Sequence, residues 1–322
     1  MIDYSVIIRT TGRAGEKYRK LLASIAALQP QPREVIVVLP EGYALPEERL
    51  GWETFYFCPK GMVIQRLHGI AQCKTKYALI SDDDIAFAPD FVRKLTEPLE
   101  TGKYGISAGP LLEFFPAKGL PTIMSVLTGA SGPTLFHKDR YNTVWRTTGY
   151  SFNRKLEPGK LYETQSAAWT CFYADVEKLR SIRFEDELWL DLNGYSAHDD
   201  TAMFYKAWLR GIKSVIVADA TYQHLDAKTS TRGNMEKALY ATGFNDVVFW
   251  HRFLSGERTL EKYWSRLCIG YRFAAQGLYN RLNLLRGRMT RQELEAFRQG
   301  VKAGWQWLES ADYRSLPAVM ED

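Results

Sequence analysis

A regular alternation of strand and helix patterns over residues 4–81 constrains the fold more than any other feature of the sequence. Four short apolar runs, rich in β-branched or aromatic residues, are typical of buried strands: Tyr4–Arg9, Glu34–Leu39, Thr54–Phe57 and Tyr77–Ser81. Between them, Glu16–Leu28 and Met62–Cys73 carry apolar residues at helical spacing. This order predicts an α/β fold with a doubly wound, mostly parallel sheet.

In sheets of this type, ligands bind beyond the carboxyl ends of the strands. Two loops are therefore candidate binding sites: Thr10–Arg13 and Asp82–Asp84. In the first loop, the Thr10 and Thr11 hydroxyls and the loop amides suit a nucleobase or ribose, and Arg13 suits a diphosphate. The loop does not have the P-loop pattern, and the absence of a GxGxxG fingerprint argues against a dehydrogenase.

The acidic triplet Asp82-Asp83-Asp84 directly follows the strand YALIS. Adjacent carboxylates repel one another, so their placement at a strand end favours a bound cation. Oxygen ligands suit Mg²⁺ or Mn²⁺, which complete their coordination with substrate phosphates. A solvated acidic turn is the structural alternative. An EF-hand is excluded, because the sixth position of the loop is Phe87 rather than Gly.

Two further candidates lie later in the chain. Asp199-Asp200 precede a predicted helix, Thr201–Arg210, which Gly211 ends. These carboxylates are either helix caps or a general base that accepts a hydroxyl proton. His224 follows the predicted strand Lys213–Ala218 and is either structural or an additional metal ligand.

Three segments, in this order and spacing, resemble the family 2 glycosyltransferases, which have the GT-A fold. They are YSVIIRTTGR, RLHGIAQCKTKYALISDDDIAFAPDFV and HDDTAMFYKAWLRGIKSVIVADATYQH. The resemblance covers roughly residues 3–226. It implies an inverting enzyme that uses Mn²⁺ or Mg²⁺ and moves a sugar from a nucleotide-diphosphate-sugar to an acceptor hydroxyl. A glycan or lipid-linked acceptor, of the kind found in bacterial surface polysaccharide or glycolipid synthesis, is the expected partner.

The resemblance also implies roles for the acidic triplet and the late histidine. Asp82 and Asp84 match the DxD motif, so Asp82 is expected near the donor ribose and Asp84 on the metal. Both are predicted metal ligands, and Asp83, the variable middle position, is expected to share in donor binding. His224 matches the histidine that some family members use as a further metal ligand.

By the same resemblance, Asp200 is the predicted base and Asp199 a neighbour that orients the acceptor. Thr10, Thr11 and Arg13 match the nucleotide-binding loop. Arg66 matches a polar position that faces the diphosphate.

One departure from the family pattern concerns the nucleobase. Family members usually carry an Asp after the second strand, whereas this chain continues Leu39-Pro40-Glu41-Gly42. Glu41 is the candidate substitute, and the identity of the nucleotide stays open.

Two other functions remain open at this point. A sugar-phosphate nucleotidyltransferase would need a Gly-rich basic loop after the first strand, to which TTGRAGEK is a weak match. A non-catalytic nucleotide-sugar-binding module would protect its donor rather than hydrolyse it.

The sequence divides into a catalytic region, residues 1–228, and a helical region, residues 229–322. Helical patterns cover Met235–Leu254, Leu260–Leu285 and Arg291–Leu308. Ten basic and three acidic residues lie between Arg258 and Lys302. We expect these helices either to pack on the catalytic region or a second subunit, forming a homodimer, or to rest as a basic amphipathic surface on anionic lipid.

Composition excludes several classes of protein. The net charge of +5 permits an anionic partner but does not indicate nucleic acid. The four cysteines lie far apart with no CxxC pair, which is typical of reduced thiols. The sequence shows no signal peptide and no apolar run of about 18 residues. A cytoplasmic protein, in the lipid-binding case peripheral at the inner face of the membrane, is expected.

Overall fold

The structure is a computed structural model, and it describes residues 2–145, 148–225, 235–256 and 258–320. The described residues form thirteen strands: β1 Tyr4–Arg9, β2 Glu34–Pro40, β3 Thr54–Cys58, β4 Tyr77–Asp82, β5 Ile85–Phe87, β6 Ile106–Ala108, β7 Ser131–Pro133, β8 Asn142–Val144, β9 Tyr150–Phe152, β10 Leu161–Thr164, β11 Cys171–Asp175, β12 Ser214–Val217 and β13 Tyr222–His224.

Ten α-helices occur in the same described ranges: α1 Glu16–Ala26, α2 Met62–Gln72, α3 Phe91–Glu100, α4 Leu120–Leu127, α5 Val176–Ser181, α6 Asp199–Leu209, α7 Met235–Phe249, α8 Thr259–Leu285, α9 Arg291–Trp307 and α10 Ala311–Arg314. Two short 3₁₀ segments cover Leu112–Phe114 and Phe184–Asp191, and a π-helical turn at Trp250–Leu254 extends α7.

Eight strands form the central sheet in the order β10-β12-β6-β11-β4-β1-β2-β3. The strands β4, β1, β2 and β3 pair in parallel, as do β6 and β12. The central strands are buried on both faces, which explains their continuous runs of Val, Ile and Leu. The predicted α/β fold with a mostly parallel sheet is confirmed.

Residues 104–173, which have no regular strand or helix pattern in the sequence, add antiparallel strands to this sheet. β11 pairs antiparallel with both β4 and β6, and β10 pairs antiparallel with β12. β7, β9 and β8 form a separate small sheet, and β5 pairs with β13. This β5–β13 ribbon brings residue 224 beside residue 85, close to the end of β4.

The C-terminal helices share the core of the sheet. Phe244 and Val248 of α7 and Trp250 of the π-helical turn belong to the same buried cluster as Ile80 of β4 and Phe204 of α6. α7 also packs closely along α9. The predicted C-terminal helical extension is therefore present and packs against the sheet. The boundary between residues 228 and 229 lies outside the described residues.

A buried ion cluster reinforces this attachment. Lys206 of α6 donates to Glu187 at 2.8 Å, and Arg252 of the π-helical turn donates to both Glu187 carboxylate oxygens. Lys206 and Glu187 are completely buried. In a low-dielectric interior such charges persist only when paired, so the cluster fixes α6 against the C-terminal helices.

Candidate functional site

The site lies at the carboxyl ends of β1 and β4. Arg9 is the last residue of β1 and pairs in register with Asp82, the last residue of β4. The parallel register therefore places the two side chains next to each other, and Arg9 Nε donates to Asp82 Oδ1 at 3.0 Å. Arg9 of the neighbouring strand thus neutralises the first carboxylate of the acidic triplet.

Arg66 of α2 joins this carboxylate to a second acidic position. Its guanidinium donates to Asp82 Oδ1 at 2.8 Å and to Asp199 Oδ2 at 3.0 Å, and it lies over the Trp169 ring at 4.7 Å. Burial opposes ionisation of Asp82, but Arg66 and Arg9 outweigh it and lower the pKa of that carboxyl. Arg66 therefore contacts carboxylates directly, and its predicted contact with a diphosphate stays a prediction.

Asp83 faces the first loop. It accepts a hydrogen bond from Thr10 Oγ1 at 2.6 Å. Burial raises the pKa of Asp83 to about 6, against the lowering effect of Arg9 and Thr10. Thr10 and Asp83 both border a cavity of about 460 Å³. Asp83 of the triplet and the first loop therefore meet at one cavity.

This cavity, called the larger cavity below, is lined by both polar and apolar residues. Its wall comprises Arg9, Thr10, Thr11, Lys60, Gly61, Met62, Gln65, Asp83, Asp191, Leu192, Asn193, Gly194, Tyr195, Lys237 and Ala238. The Thr11 hydroxyl is buried and has no hydrogen-bond partner among the described residues. An unsatisfied buried hydroxyl is costly unless a ligand or water engages it.

Two residues predicted for donor binding lie elsewhere. Arg13 and Glu41 are exposed, and neither borders this cavity. The Arg13 guanidinium instead lies over the ring of Tyr43 at 5.0 Å. The structure therefore does not bring Arg13 and Glu41 together with the other predicted residues.

Asp84 and His224 meet on the β5–β13 ribbon. His224 Nε2 lies 3.6 Å from Asp84 Oδ2, and the backbone N–H of Leu225 donates to the Asp84 carbonyl at 2.7 Å. His224 Nδ1 lies 2.9 Å from Glu113 Oε1. With Nδ1 donating to Glu113, Nε2 carries the lone pair and faces Asp84, which is the arrangement of a histidine metal ligand.

The chemistry of this pair fits a divalent cation. Two ligand atoms that each lie about 2.1 Å from one ion, at right angles, are separated by about 3 Å. The 3.6 Å between Asp84 Oδ2 and His224 Nε2 is close to that spacing. Within the described ranges, no group of three or more His, Cys, Asp or Glu side chains is arranged to hold a metal. A cation with two protein ligands would take its remaining ligands from phosphate and water, as Mg²⁺ commonly does.

The second acidic pair begins α6. His198, just before the helix, has the left-handed φ of 71°, which turns the chain into the site. Asp200 accepts hydrogen bonds from the Thr201 amide and hydroxyl, and Asp199 accepts one from the Asp200 amide. Burial raises the pKa of both carboxyls, and Arg66 partly offsets this effect at each.

Asp200, rather than Asp199, faces open space. A cavity of about 240 Å³ is lined by Asp200, His198, Tyr150 and Phe114, among others, whereas Asp199 does not border it. Asp199 is instead paired with Arg66. The two neighbouring carboxylates therefore have different surroundings.

His198 links this pair to the C-terminal helices. Its Nε2 lies 2.8 Å from Asp246 Oδ1 of α7, and Arg272 of α8 donates to the same oxygen at 2.7 Å. Burial opposes ionisation of Asp246, but Arg272 and His198 together lower its pKa to about 2. The turn that carries Asp199 and Asp200 is thus held by two helices outside the family resemblance.

Several site residues were not singled out from the sequence: Arg9, Glu113, His198 as a link to Asp246 and Arg272, and Asp191. A charged residue that closes an otherwise apolar strand was a usable signal for Arg9. Asp191 accepts hydrogen bonds from the Met62 and Ile64 amides, each at 2.9 Å, so its carboxylate caps the N-terminus of α2. No local pattern marks Asp191 or Glu113, because each acts on residues distant in sequence.

Comparisons with known proteins agree with this architecture. Residues 55–170, about a third of the chain, match the family model described as "Glycosyl transferase family 2". The mannosyltransferase PcManGT from Pyrobaculum calidifontis, solved in complex with GDP-Man and Mn²⁺, is 13% identical with a TM-score of 0.50, over 95% of this chain and 88% of that one. GalNAc-T7, solved with UDP, GalNAc and Mn²⁺, is 12% identical with a TM-score of 0.48, over 88% of this chain.

The chain spans 57% of the length of that GalNAc-T7 structure. No curated protein matches the sequence. The family match over residues 55–170 supports the predicted class, a glycosyltransferase enzyme. The likeness to the mannosyltransferase confirms the GT-A-type fold.

Proposed function

We propose that this protein is a metal-dependent, inverting glycosyltransferase that moves a sugar from a nucleotide-diphosphate-sugar to an acceptor hydroxyl. The observation that carries the proposal is the junction of the two acidic motifs at one sheet edge. Arg66 contacts Asp82 and Asp199 simultaneously, at 2.8 and 3.0 Å. The acidic triplet and the Asp199-Asp200 pair therefore meet at one sheet edge, and Phe114, which lines the smaller cavity with Asp200, has its ring 5.4 Å from the His224 ring.

The larger cavity supports a nucleotide donor. Thr10, Thr11 and Asp83 offer hydroxyl and carboxyl groups for a ribose or base, and Lys60 and Lys237 offer cations for phosphates. Its volume of about 460 Å³ falls in the ordinary range for small-molecule sites. Mn²⁺ and a nucleotide or nucleotide-sugar are bound in the two similar structures, which supports the same donor class here.

Asp84 and His224 would hold the cation, with Glu113 orienting His224. A bound Mn²⁺ or Mg²⁺ would neutralise the charge of the diphosphate leaving group. Asp82 is engaged by two arginines, so in this account it orients Arg9 and Arg66 rather than binding the metal directly.

Asp200 would accept the proton of the acceptor hydroxyl. It borders the smaller cavity, where a hydroxyl can approach, and its neighbour Asp199 is occupied by Arg66. A pKa raised by burial makes a carboxylate a stronger base near neutral pH. One base and one displacement at the anomeric carbon invert its configuration.

The test combines donor binding with donor consumption. A set of nucleotide-sugars, screened with Mn²⁺ for thermal stabilisation, identifies the donor, and release of nucleoside diphosphate then reports turnover. We expect one donor to stabilise the protein and to be slowly hydrolysed. Stabilisation without any hydrolysis or transfer would instead indicate the binding module. Release of pyrophosphate from a nucleoside triphosphate and a sugar phosphate would indicate the nucleotidyltransferase.

A further inference from the structure

The long helix α8 has an unusual distribution of apolar residues. Its buried contacts are made by Ser265, Ile269 and Asn280 on one side. The opposite side is apolar although it lies in solvent: Leu260, Trp264, Leu267, Tyr271, Leu278 and Leu285 are each more than half exposed. A helix on the surface of a soluble protein normally presents polar residues there. We define these six residues as the outer stripe of α8.

The outer stripe continues onto α4. Tyr271 Oη donates to the Leu127 carbonyl at 2.6 Å, and the Arg272 guanidinium donates to the Gly129 carbonyl at 3.3 Å. Leu120, Ile123 and Leu127 of α4 are each more than half exposed. Because Leu127 and Tyr271 are both exposed where they meet, the two helices form one apolar surface, larger than the scattered apolar residues of an ordinary surface.

The charge around the outer stripe is one-sided. Residues 258–291 contain eight Arg or Lys and a single acidic residue, Glu261. Arg258, Lys262, Arg266 and Arg281 are exposed. In a dimer formed through the stripe, two faces of equal positive charge would meet and repel. The complementary partner is an extended anionic surface with an apolar interior, which describes a bilayer containing anionic lipid.

We propose that the outer stripe of α8 and the exposed face of α4 dock this protein on an anionic membrane. The acceptor side of the cleft lies next to this surface. α4 follows Phe114 closely in the chain, and the half-exposed Phe114 lines the smaller cavity with Asp200. Docking would therefore present that cavity to the headgroup region, where a lipid-linked hydroxyl acceptor resides. This last step rests on the proposed function, whereas the docking itself does not.

The test is flotation of the purified full chain with vesicles. Equimolar phosphatidylcholine and phosphatidylglycerol vesicles are compared with pure phosphatidylcholine vesicles, at low and high salt. We expect binding to the anionic vesicles only, weakened by salt. Trp264→Glu should reduce the vesicle-bound to free ratio at least about tenfold. Trp52→Glu, the same change at an exposed tryptophan between β2 and β3, is the matched control and should bind normally.

A second pair of variants separates charge from apolar insertion. Lys262→Ala with Arg266→Ala should weaken binding and its salt dependence, whereas Arg19→Ala with Arg93→Ala, on α1 and α3, removes the same charge without this effect. The proposal is overturned if wild type stays with the free protein, or if Trp264→Glu and Trp52→Glu float equally. It is also overturned if sedimentation shows a dimer that Trp264→Glu dissociates while vesicles bind neither form. None of these readouts requires turnover, so they stand apart from the proposed function.

Discussion

At the residue scale, Arg66 links two carboxylates: Asp82, which also pairs with Arg9, and Asp199. Its side chain is 2% exposed, and it holds Asp82 and Asp199 together. Removing one partner of such a buried pair leaves the other charges uncompensated, which is far more costly than losing a surface ion pair.

Arg66→Met should therefore destabilise the fold by about 3–5 kcal/mol, because the buried Asp199 loses its arginine partner and Asp82 keeps only Arg9. Arg93→Met removes an exposed arginine paired with Asp90 and Glu97 and should cost less than about 1 kcal/mol. Denaturant unfolding of both variants measures the difference. Equal, small effects would show that Arg66 does not hold the two motifs together.

A separate prediction distinguishes the two carboxylates of the second pair. Asp200→Asn should lower kcat by about a hundredfold or more, with nucleotide-sugar binding retained, because only proton transfer is lost. The raised pKa of Asp200 means that protonation of wild type begins at a higher pH than for an exposed aspartate. Activity should be present above that pKa and fall as pH decreases through it. Full activity of Asp200→Asn would remove Asp200 as the base.

Glu113 offers a test of the metal pair that leaves both ligands in place. Glu113→Gln weakens the contact that orients His224, so Mn²⁺ affinity should fall by roughly tenfold or more. Glu97→Gln, an exposed glutamate of α3, is the matched control. Titration of Mn²⁺ by calorimetry in the presence of nucleoside diphosphate measures both. Identical affinities would mean that His224 takes no part in binding the metal.

At the scale of elements, the start of α6 depends on α7 and α8. The contacts of Asp246 with His198 and Arg272 lower its pKa from 3.8 to about 2. A depressed carboxyl pKa stabilises the folded state above the unfolded pKa, and this stability is lost as pH falls through the folded pKa. The relevant window is therefore from about pH 4 down to pH 2.

Asp246→Asn should remove this contribution, about 2 kcal/mol by the size of the shift. The difference in unfolding free energy between wild type and variant should become smaller as pH falls through that window. The variant should also lower turnover, since His198 sets the turn that bears Asp200. A constant gap between the two curves down to pH 2 would contradict the depressed pKa.

The elements also show what the sequence could predict. Long apolar patterns in the sequence identified three strands and one helix: β1, β2, β4 and α2. Their bounds agree closely with those expected. β6 to β9 are three residues each, and β11 pairs antiparallel with strands more than 60 residues away in the chain. No local periodicity specifies such pairings, so residues 104–173 could not be predicted in detail.

The same reasoning applies to the candidate site. A strand end followed by Asp82–Asp84 indicated the sheet edge at which Asp83 borders the larger cavity. The different contacts of the three aspartates could not be predicted, because those of Asp82 depend on the register of β1 against β4 and on Arg66 from α2. Thr10 and Thr11 line the larger cavity, whereas Arg13 and Glu41 are exposed and do not border it, and the sequence pattern did not distinguish the two pairs.

At the scale of the whole molecule, the C-terminal helices pack against the sheet on one side and are exposed to solvent on the other. Their inner side completes the core and fixes α6, through Phe244, Val248 and the Glu187–Arg252 pair. Their outer side carries the apolar stripe of α8. Among the described residues, no helix is long and apolar enough to cross a bilayer. The helical patterns were evident in the sequence, but their attachment to the core required the tertiary structure.

The proposed transfer depends on Asp84 and His224 binding a divalent cation together with a nucleotide diphosphate. Anomalous diffraction from crystals soaked with Mn²⁺ and the donor's nucleoside diphosphate tests this binding. We expect a manganese peak between Asp84 Oδ2 and His224 Nε2, bonded to phosphate oxygens, with the nucleoside beside Thr10 and Asp83. A nucleotide bound in the cavity with no manganese at this pair, or manganese bound away from the phosphates, would contradict it.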